Sequence, residues 1–371
     1  MKKVLTVGSA TQDIFIRYPD PKTVELPLRG KIEPFLVLPE GEKIEVQHLD
    51  YHTGGGATNS ATSFSRLNIP AACCIKIGND DQGRHITSQL ATAHIKTYAS
   101  IDQTLATGTS FILPTESHDR VALVWRGANI HLQPQDIPQH AIESSDYIYI
   151  TSLAGPASQS LALITQQAKT LGKKVATNPG TSQLTADAHS LIRSLQHIDV
   201  LIMNSCEACL CLKALVQQHA LTKSADYTPH TTAHSPALIA QPFIHDNTPY
   251  RLQELCATLL NYGPSIVVIT NGAEGVYVAT NNSLLFHPSL PTKIVNTLGA
   301  GDAFGSCFVA SIMHNKNIKD AMLCGLLNAQ SVIEHLDAKS GLLTAHELET
   351  KYQALAASTA PTFQSFSLSA L

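Results

Sequence analysis

The stretch of sequence that decides the fold is Asn296-Thr297-Leu298-Gly299-Ala300-Gly301-Asp302-Ala303-Phe304. An apolar, strand-like run at 293–295 precedes it, and small and apolar residues continue to about position 314. The pattern predicts an extended segment, then a glycine turn, then a helix over about 301–314. The chain would therefore pass from extended structure through Gly-Ala-Gly directly into a helix N-terminus.

The glycine turn and the acid that follows it indicate phosphate chemistry. Backbone N–H groups at a helix start, together with the helix dipole, form a fixed anion site that glycines let a phosphate approach closely. An acid in the first helical turn would lie beside that phosphate, where it can accept the proton of an attacking hydroxyl. Asp302 also suits a structural interpretation, because Asp is favoured near helix N-termini for its dipole interaction alone.

Two other phosphate-binding motifs are absent from the sequence. No Gly-Lys-Ser/Thr follows a glycine-rich loop, so there is no Walker A motif. The turn after the first predicted strand, Gly8–Asp13, lacks the second and third glycines of a dinucleotide-binding fingerprint.

The composition limits the class of protein. The 371 residues carry a formal net charge of −4 and are 44% hydrophobic, which suits one large α/β domain or about two average ones. The charge indicates no nucleic-acid surface, and no apolar stretch approaches the roughly 20 residues of a membrane span. The N-terminal run reads as a strand, since Asp13 and Arg17 leave no room for a signal peptide. We therefore expect a cytoplasmic protein with no nucleic-acid or membrane partner.

Three of the eight cysteines, Cys206, Cys209 and Cys211, have a spacing similar to part of a metal site. No second Cys/His pair follows at zinc-finger spacing. In a helix, positions 206 and 209 would share a face that position 211 does not share. Structural thiols are the interpretation that the sequence favours.

Short β-branched runs alternate with helical patterns over most of the chain. The predicted strands are Val4–Gly8, Ala71–Ile77, Lys174–Thr177, Val200–Met203 and Ser265–Thr270. Predicted helices lie near 57–67, 82–93, 157–171, 187–196, 205–218, 251–262 and 317–335. The alternation predicts one domain over 1–357, with a mostly parallel sheet covered by helices on both faces.

Other regions depart from this alternation. Extended patterns at 14–53 and 106–126 predict a small antiparallel sheet that could act as a lid, or else an edge extension of the main sheet. The stretch 219–249 is long for a loop and is predicted to be an insertion. Residues 358–371 are predicted to form a loosely docked tail.

Four motifs together resemble those of the ribokinase-like (PfkB) kinase family. Thr297–Asp302 resembles the C-terminal signature Asp-Thr-x-Gly-Ala-Gly-Asp, and Gly54–Leu67 resembles the N-terminal signature. Asn204–Glu207 is similar to the family's Asn-x-x-Glu motif, and Thr270–Gly275 to its Thr-x-Gly-x-x-Gly turn. The motifs stand in the family's order, and the resemblance covers roughly residues 1–345 outside the insertion.

The resemblance implies roles around the acceptor. Asp302 would be the base, and the amides of Gly299, Ala300 and Gly301 would form an anion hole over the γ-phosphate of ATP. The residues that would line the substrate pocket are Asp13, Gly55, Gly56 and Asn59. The Asp13 carboxylate can accept from two neighbouring hydroxyls, which suits a diol. Asp13 could instead be a turn residue, and Asn59 a helix-start residue.

The resemblance also implies a nucleotide side. Asn204 and Glu207 would act through water on Mg²⁺ and the phosphates, since a spacing of three puts both on one helix face. An N-cap with a capping-box Glu explains the same pair and does not exclude that role. The other residues that would contact the nucleotide are Thr270, Gly272, Gly275, Thr297 and Asn328, the last of them beside the adenine. By pattern alone, the two glycines would be turn residues.

One position departs from the family signature, which usually begins with Asp where this chain has Asn296. In ribokinases that carboxylate helps to hold a monovalent cation beside the anion hole. An amide still offers an oxygen ligand but loses the charge. Activation by K⁺ is therefore left open, whereas the base at Asp302 is not affected.

Three functions remain compatible with these motifs. The first is transfer of the ATP γ-phosphate to a sugar hydroxyl, and the lack of a Lys/Arg cluster near the motifs argues against a sugar phosphate as acceptor. The second is a nucleoside kinase, in which Trp125 could stack on a base. The third is a non-catalytic ligand sensor, which the intact Gly-Ala-Gly-Asp disfavours. Lid sheets of the family often pair between subunits, so a homodimer through the lid is a further expectation.

Overall fold

The computed structural model of the protein describes residues 1–28, 31–115, 120–221, 235–281, 283–358 and 362–368. The strands are β1 (Val4–Val7), β2 (Thr11–Arg17), β3 (Lys22–Leu28), β4 (Lys31–Val37), β5 (His48–Gly54), β6 (Ala71–Gly78), β7 (Lys96–Asp102), β8 (Gly108–Pro114), β9 (Arg120–Trp125), β10 (Tyr147–Thr151), β11 (Lys174–Asn178), β12 (Val200–Asn204), β13 (Phe243–His245), β14 (Thr248–Tyr250), β15 (Ile266–Thr270), β16 (Val276–Thr280), β17 (Ser283–His287) and β18 (Gln364–Phe366). The helices are α1 (Gly56–Arg66), α2 (Asp81–Thr92), α3 (Gln139–Glu143), α4 (Leu161–Thr170), α5 (Thr181–Ser194), α6 (Ser205–Gln217), α7 (Ala237–Ala240), α8 (Leu252–Asn261), α9 (Ala300–Met313), α10 (Ile318–Ile333) and α11 (Ala345–Ser358).

The largest sheet has the order β18-β17-β16-β15-β12-β11-β10-β1-β6-β7. The strands from β15 to β7 pair in parallel, and β16, β17 and β18 continue the sheet in antiparallel fashion. A parallel sheet must be covered on both faces, so its strands are short, buried and rich in β-branched residues. The predicted fold class, a mostly parallel sheet flanked by helices, is confirmed.

Each face of this sheet carries its own hydrophobic core. In β12, Leu201 and Met203 lie in one core, whereas Val200 and Ile202 lie in the other, as the period of two in a strand requires. Helices α4, α5, α6 and α8 cover the first face, and α1, α9, α10 and α11 cover the second. No helix within the described residues is long and apolar enough to cross a membrane.

Helix α9 is enclosed along most of its length, and this fixes the position of its first turn. Phe304 and Phe308 are buried in the second core, with their rings stacked 5.9 Å apart. Gly305 faces the sheet, where a Cβ would come within 2.4 Å of the Tyr149 hydroxyl. The helix therefore approaches β10 more closely than any side chain would allow.

A second, four-stranded sheet has the order β5-β2-β8-β9 and is called the lid here. It comes from the regions predicted to form an antiparallel lid, with two corrections. The β2–β8 pair is parallel, so the sheet is mixed, and β2 begins at Thr11 instead of near residue 14. Strand β5, the last strand of the first predicted region, begins only at His48. Residues 116–119 of the predicted region lie outside the described residues.

The apolar run at 293–295 does not form the strand that its composition predicted. The N–H groups of Val295 and Asn296 both donate to the Ile333 carbonyl at the end of α10, at 2.9 and 3.1 Å. Ile294 and Val295 are more than 40% exposed, so they lack the buried neighbours that a strand of the main sheet has. The segment before the glycine turn is therefore anchored to a helix end.

Parts of the predicted insertion and tail also contain regular structure. The described part of 219–249 contains α7 and the hairpin β13–β14, and residues 222–234 lie outside the described residues. In the predicted tail, β18 pairs with β17 at the edge of the main sheet. Of the three cysteines on α6, Cys206 is exposed, Cys209 is half-buried and Cys211 is buried, as expected if Cys211 lies on a different helix face.

Candidate active site

The turn at Gly299 shapes the start of α9. Gly299 has φ +80°, in the left-handed region, and a Cβ there would lie 2.3 Å from the Ala338 Cβ. Only glycine combines that backbone with so close an approach. Gly301 is exposed, and within the part of the chain that the structure describes no atom lies within 4 Å of where its Cβ would be. The Ala300 N–H closes the turn with a long bond of 3.3 Å to the Thr297 carbonyl, so the open side of the turn lies at Gly301.

Asp302 lies in the first turn of α9, facing α1. Its Oδ2 accepts a hydrogen bond of 2.9 Å from Nδ2 of Asn59, which is buried. Burial raises the pKa of Asp302, while the bond from Asn59 and the charge of Lys339 lower it. The Oδ1 atom of Asn59 is buried and has no partner among the described residues. A buried acceptor of this kind suits a hydroxyl donor supplied by a ligand.

Asp13 lies on β2, at the base of the lid. Its carboxyl is buried, and Oδ1 accepts a bond of 2.9 Å from the Thr11 hydroxyl. Burial raises the pKa of Asp13, and bonds from Thr11 and Ser110 oppose that effect. Gly54 leaves the space for this carboxyl, because a Cβ at Gly54 would come within 1.9 Å of Oδ2.

The predicted pocket glycines, Gly55 and Gly56, are required by close backbone packing. Gly55 has φ +94°, and a Cβ there would lie 2.5 Å from the Ser9 carbonyl oxygen. At Gly56 a Cβ would lie 2.8 Å from Thr151, at the carboxyl end of β10, and 3.3 Å from Oδ1 of Asp302. The two glycines therefore let α1 begin against the first strand and leave space beside Oδ1 of Asp302.

Lys339 is a charged site residue that sequence reasoning missed. Its Nζ donates to the Thr53 hydroxyl at 2.8 Å, and its electrostatic partners include Asp13, Asp302 and Asp337. Burial lowers the pKa of Lys339 to about 8, although these carboxylates favour its charged form. One cation is therefore held among three acids.

The loop that carries Lys339 is fixed by hydrogen bonds. Oδ1 of Asp337 accepts from the N–H groups of Lys339 and Ser340, at 2.8 and 3.0 Å. The Arg66 guanidinium donates to the Leu342 carbonyl. The sequence signal here is Asp337 followed by small residues after a helix, which predicts a turn. That signal does not show that Lys339 in the turn points to the site.

The predicted nucleotide side begins at the carboxyl ends of β12 and β15. Asn204 and Thr270 end these neighbouring strands and are Cα partners in the parallel register. Asn204 and Glu207 form a capping box at the start of α6: Oδ1 accepts from the Glu207 N–H at 2.8 Å, and Oε2 accepts from the Asn204 N–H at 2.9 Å. The structural role that the sequence left open is therefore present. Burial raises the pKa of Glu207.

Gly272 and Gly275 frame the turn between β15 and β16. Gly272 has φ +54°, and no atom of the described residues lies within 4 Å of where its Cβ would be. Gly275 has φ +126°, and a Cβ there would lie 2.2 Å from the His287 carbonyl oxygen. Gly275 requires glycine for its backbone and for the close approach, whereas Gly272 is favoured by its left-handed backbone alone and presents open backbone.

Asn328 is placed differently from its predicted position beside the adenine. Its side chain is fully buried in the second core. Nδ2 donates to the Ala303 carbonyl at 2.9 Å, and Oδ1 accepts from the Leu343 N–H at 2.9 Å. Its amide thus joins α10 to α9 and to the segment before α11, and the structure corrects the prediction to a structural role.

Asn296 and Thr297 lie where the lid meets the glycine turn. Asn296 is buried, and its Nδ2 donates to the Leu336 carbonyl at 2.7 Å. Thr297 is exposed and accepts a hydrogen bond from Arg120, at the start of β9. Arg120 thereby brings a second cation to the site that the sequence motifs did not indicate.

The acidic side chains do not form a metal cage. No group of three or more His, Cys, Asp or Glu residues that could hold a metal ion occurs within the described part of the chain. Glu207 retains lone pairs beyond those used in the capping box. One carboxylate and an amide suit Mg²⁺, which usually keeps several waters and is held largely by substrate phosphates.

The chain matches a known protein family over most of its length. The model of the pfkB family carbohydrate kinases matches residues 1–345. A ribokinase from Haemophilus influenzae is 26% identical over 321 residues, which cover 85% of this chain and 91% of that protein.

Solved structures show the same fold. The Arabidopsis thaliana ribokinase complexed with ribose and ATP has a TM-score of 0.70 at 16% identity, covering 95% of this chain and 99% of that one. The Methanocaldococcus jannaschii nucleoside kinase also has a TM-score of 0.70, at 14% identity, with the same two coverages. With the family model matching nearly the whole length, the chain belongs to the pfkB family of carbohydrate kinases and is a phosphotransferase with an alcohol group as acceptor.

Proposed function

We propose that this kinase transfers the γ-phosphate of ATP to a hydroxyl of a sugar, with Asp302 as the base. The observation that carries the proposal is the position of Asp302, in the first turn of a helix capped by a left-handed Gly299. A helix N-terminus favours negative charge, so a transferring phosphoryl group would be stabilised beside the carboxylate. The amides of Gly299, Ala300 and Gly301 are proposed as the anion hole, with the Gly301 side the most open.

The contacts of Asp302 leave one oxygen for the acceptor. Asn59 holds Oδ2, so Oδ1 is the atom that would take the proton from the attacking hydroxyl. The space beside Oδ1 exists because residue 56 is a glycine. Deprotonation there would raise the nucleophilicity of the hydroxyl oxygen as it attacks the phosphorus in line.

Asp13 and Asn59 are proposed to orient the acceptor. The buried Asp13 carboxylate can accept from two adjacent hydroxyls, and the unpartnered Oδ1 of Asn59 can accept from a third. An apolar ligand would leave these acceptors unpaired, at a cost that discriminates strongly against it. A polyhydroxylated acceptor therefore suits this pocket.

The nucleotide is proposed to lie along the carboxyl ends of β12 and β15. Thr270, Gly272 and Gly275 would contact its phosphates, as would Thr297 beside the glycine turn. Asn204 and Glu207 would act through water on Mg²⁺, which supplies neutralisation of the phosphate charge when it is bound. The loop position of Gly272, open on one side, supports this placement.

We also propose a homodimer through the lid, because the outer face of that sheet carries exposed apolar side chains. Tyr51, Ile14, Phe111 and Leu123 are successive Cα partners across the sheet, so they form one apolar row. Tyr51 is 59% exposed and Leu123 is 57% exposed. Asp13 points to the opposite face because it alternates with Ile14 along β2. The face away from the site thus suits a second copy of the lid.

The expected cytoplasmic location stays a prediction.

An ADP-release assay tests the proposed function. Purified protein would be incubated with Mg·ATP and a panel of sugars, sugar phosphates and nucleosides. Release with a neutral sugar supports the proposal, and release with nucleosides alone would indicate the nucleoside kinase. If no member of the panel causes ADP release, but ligands shift the unfolding temperature, the proposal would be overturned in favour of a non-catalytic sensor.

A further inference from the structure

The amide of Asn296 joins two segments that surround the glycine turn. Its Nδ2 donates to the Leu336 carbonyl at 2.7 Å, and its Oδ1 accepts from the Leu298 N–H at 3.0 Å. The first bond reaches the segment that follows α10, and the second holds the turn itself. Asn296 is 6% exposed, so water competes little with either bond.

A monovalent cation between these two groups would need an oxygen from each, but Asn296 turns its amide nitrogen and not its oxygen to the Leu336 carbonyl. The Asn296 oxygen is already bonded to an N–H group, and the Leu336 carbonyl already accepts from the amide nitrogen. The Arg120 guanidinium also lies 3.5 Å from the Asn296 oxygen and donates to the Thr297 hydroxyl. The Asn296 oxygen is thus approached by a second hydrogen-bond donor, which leaves it less able to bind a cation. The residues present therefore do not fit a bound K⁺ ion.

The chemistry of an aspartate at the same position would be different. A carboxylate has no N–H donor, so it would place an acceptor oxygen against the Leu336 carbonyl oxygen. Two acceptors at hydrogen-bond distance repel each other unless a cation lies between them. The amide removes that requirement, since its nitrogen donates directly across the gap.

From this geometry we propose that the enzyme works without a monovalent cation, because the Asn296 amide ties the glycine turn directly to the segment after α10. The Arg120 guanidinium is a further donor beside the turn, since it bonds to the Thr297 hydroxyl. The proposal rests on the proposed kinase function, but it concerns a different property of the site, namely which ions the folded site requires.

The first test compares salts. ADP release by the wild type would be measured in potassium, sodium and choline chloride at equal ionic strength, since choline is too large to enter a site of this kind. The kcat and both KM values are expected to agree within about twofold across the three salts. A loss of about tenfold or more in choline, restored by potassium, would overturn the proposal.

The second test creates the cation requirement. Asn296→Asp is expected to lower kcat in choline by about tenfold or more, with potassium restoring part of the rate. The unfolding temperature of this variant should likewise be lower in choline than in potassium, whereas that of the wild type should not change. Asn315→Asp is the matched control, because Asp keeps the acceptor that the Lys2 ammonium uses and the position lies beyond the far end of α9.

The outcomes separate this inference from the proposed function. Absence of ADP release by the wild type in every salt and with every acceptor would count against the kinase function. The unfolding temperatures would still decide the ion requirement in that case. If Asn296→Asp behaves like the wild type in choline, the amide has no special role and the inference is wrong. If that variant does not fold in any salt, the wild-type comparison decides alone.

Discussion

Asn59 donates from Nδ2 to Oδ2 of Asp302 at 2.9 Å, although the two residues are 243 positions apart in the sequence. The bond joins the first turns of α1 and α9, and so links the two glycine-rich segments. It fixes which carboxylate oxygen is engaged and which is left for a ligand. It also favours the charged form of Asp302, which a base requires.

Replacing Asp302 by Asn should abolish most of the turnover. The amide cannot accept a proton, so kcat is expected to fall about 10²- to 10⁴-fold, the usual contribution of general base catalysis. Binding of ATP, measured by calorimetry, should stay within a factor of about three, a difference of less than 1 kcal/mol. Turnover close to that of the wild type would show that another group takes the proton.

Replacing Lys339 by Met should change the pH dependence of kcat. The ammonium stabilises the ionised form of Asp302, so its removal raises the pKa of that carboxyl. The base is active only when ionised, so the acidic limb of the pH profile of kcat should move to higher pH. Well above that limb, the rates of variant and wild type should approach each other.

Two further variants make the Lys339 prediction specific. Lys339→Arg keeps the positive charge and should keep the acidic limb near its wild-type position. Lys213→Met removes an exposed lysine from α6 and should leave the whole profile unchanged. An acidic limb that does not move in Lys339→Met would show that Lys339 has only a structural role.

Replacing Asp13 by Ala should weaken acceptor binding selectively. The carboxylate is buried on the acceptor side, and its loss removes hydrogen-bond acceptors that the substrate hydroxyls would use. The KM for the acceptor should rise by about tenfold or more, since bonds to a charged group contribute about 1.5–3 kcal/mol. The KM for ATP should change by less than about threefold, and equal effects on both would contradict a role on the acceptor side.

Replacing Glu207 by Gln separates its charge from its capping role. A Gln side chain can still accept from the Asn204 N–H, so the unfolding temperature should stay close to that of the wild type. Losing the charge should raise the Mg²⁺ concentration needed for half-maximal rate. Glu207→Ala removes both functions and should in addition destabilise the protein by about 1 kcal/mol. An unchanged Mg²⁺ dependence in the Gln variant would limit Glu207 to capping.

The sequence predicted most of the parallel sheet because its strands carry a local signal. Val200–Asn204 and Ile266–Thr270 are short, buried and β-branched, and each ends in a polar residue. Asp302 and the turn glycines could be predicted for a similar reason, since the residue types follow from backbone conformation and anion binding. Residues 293–295 misled the prediction because a β-branched composition does not show which partner the backbone will find.

Lys339 and Arg120 could not be predicted, because their importance depends on contacts that are distant in sequence. Lys339 reaches Thr53 across 286 positions, and Arg120 reaches Thr297 across 177. Neither residue belongs to a local pattern, and each looks like an ordinary surface cation in the sequence. The prediction for Asn328 went wrong for the opposite reason. Its position on the helix suggested a contact with the nucleotide, but its amide is used for hydrogen bonds inside the core.

Replacing Leu123 by Asp should separate the proposed dimer. Leu123 is 57% exposed on the outer face of the lid, in the row that also contains Phe111 and Tyr51. A charge in an apolar interface would be desolvated without a partner, and this should weaken association by several kcal/mol. Light scattering after gel filtration should show a dimer for the wild type and a monomer for Leu123→Asp.

Leu163→Asp changes an equally exposed leucine on α4 and should leave the mass unchanged. A wild type that is monomeric at micromolar concentration would mean that the apolar row is not a dimer interface.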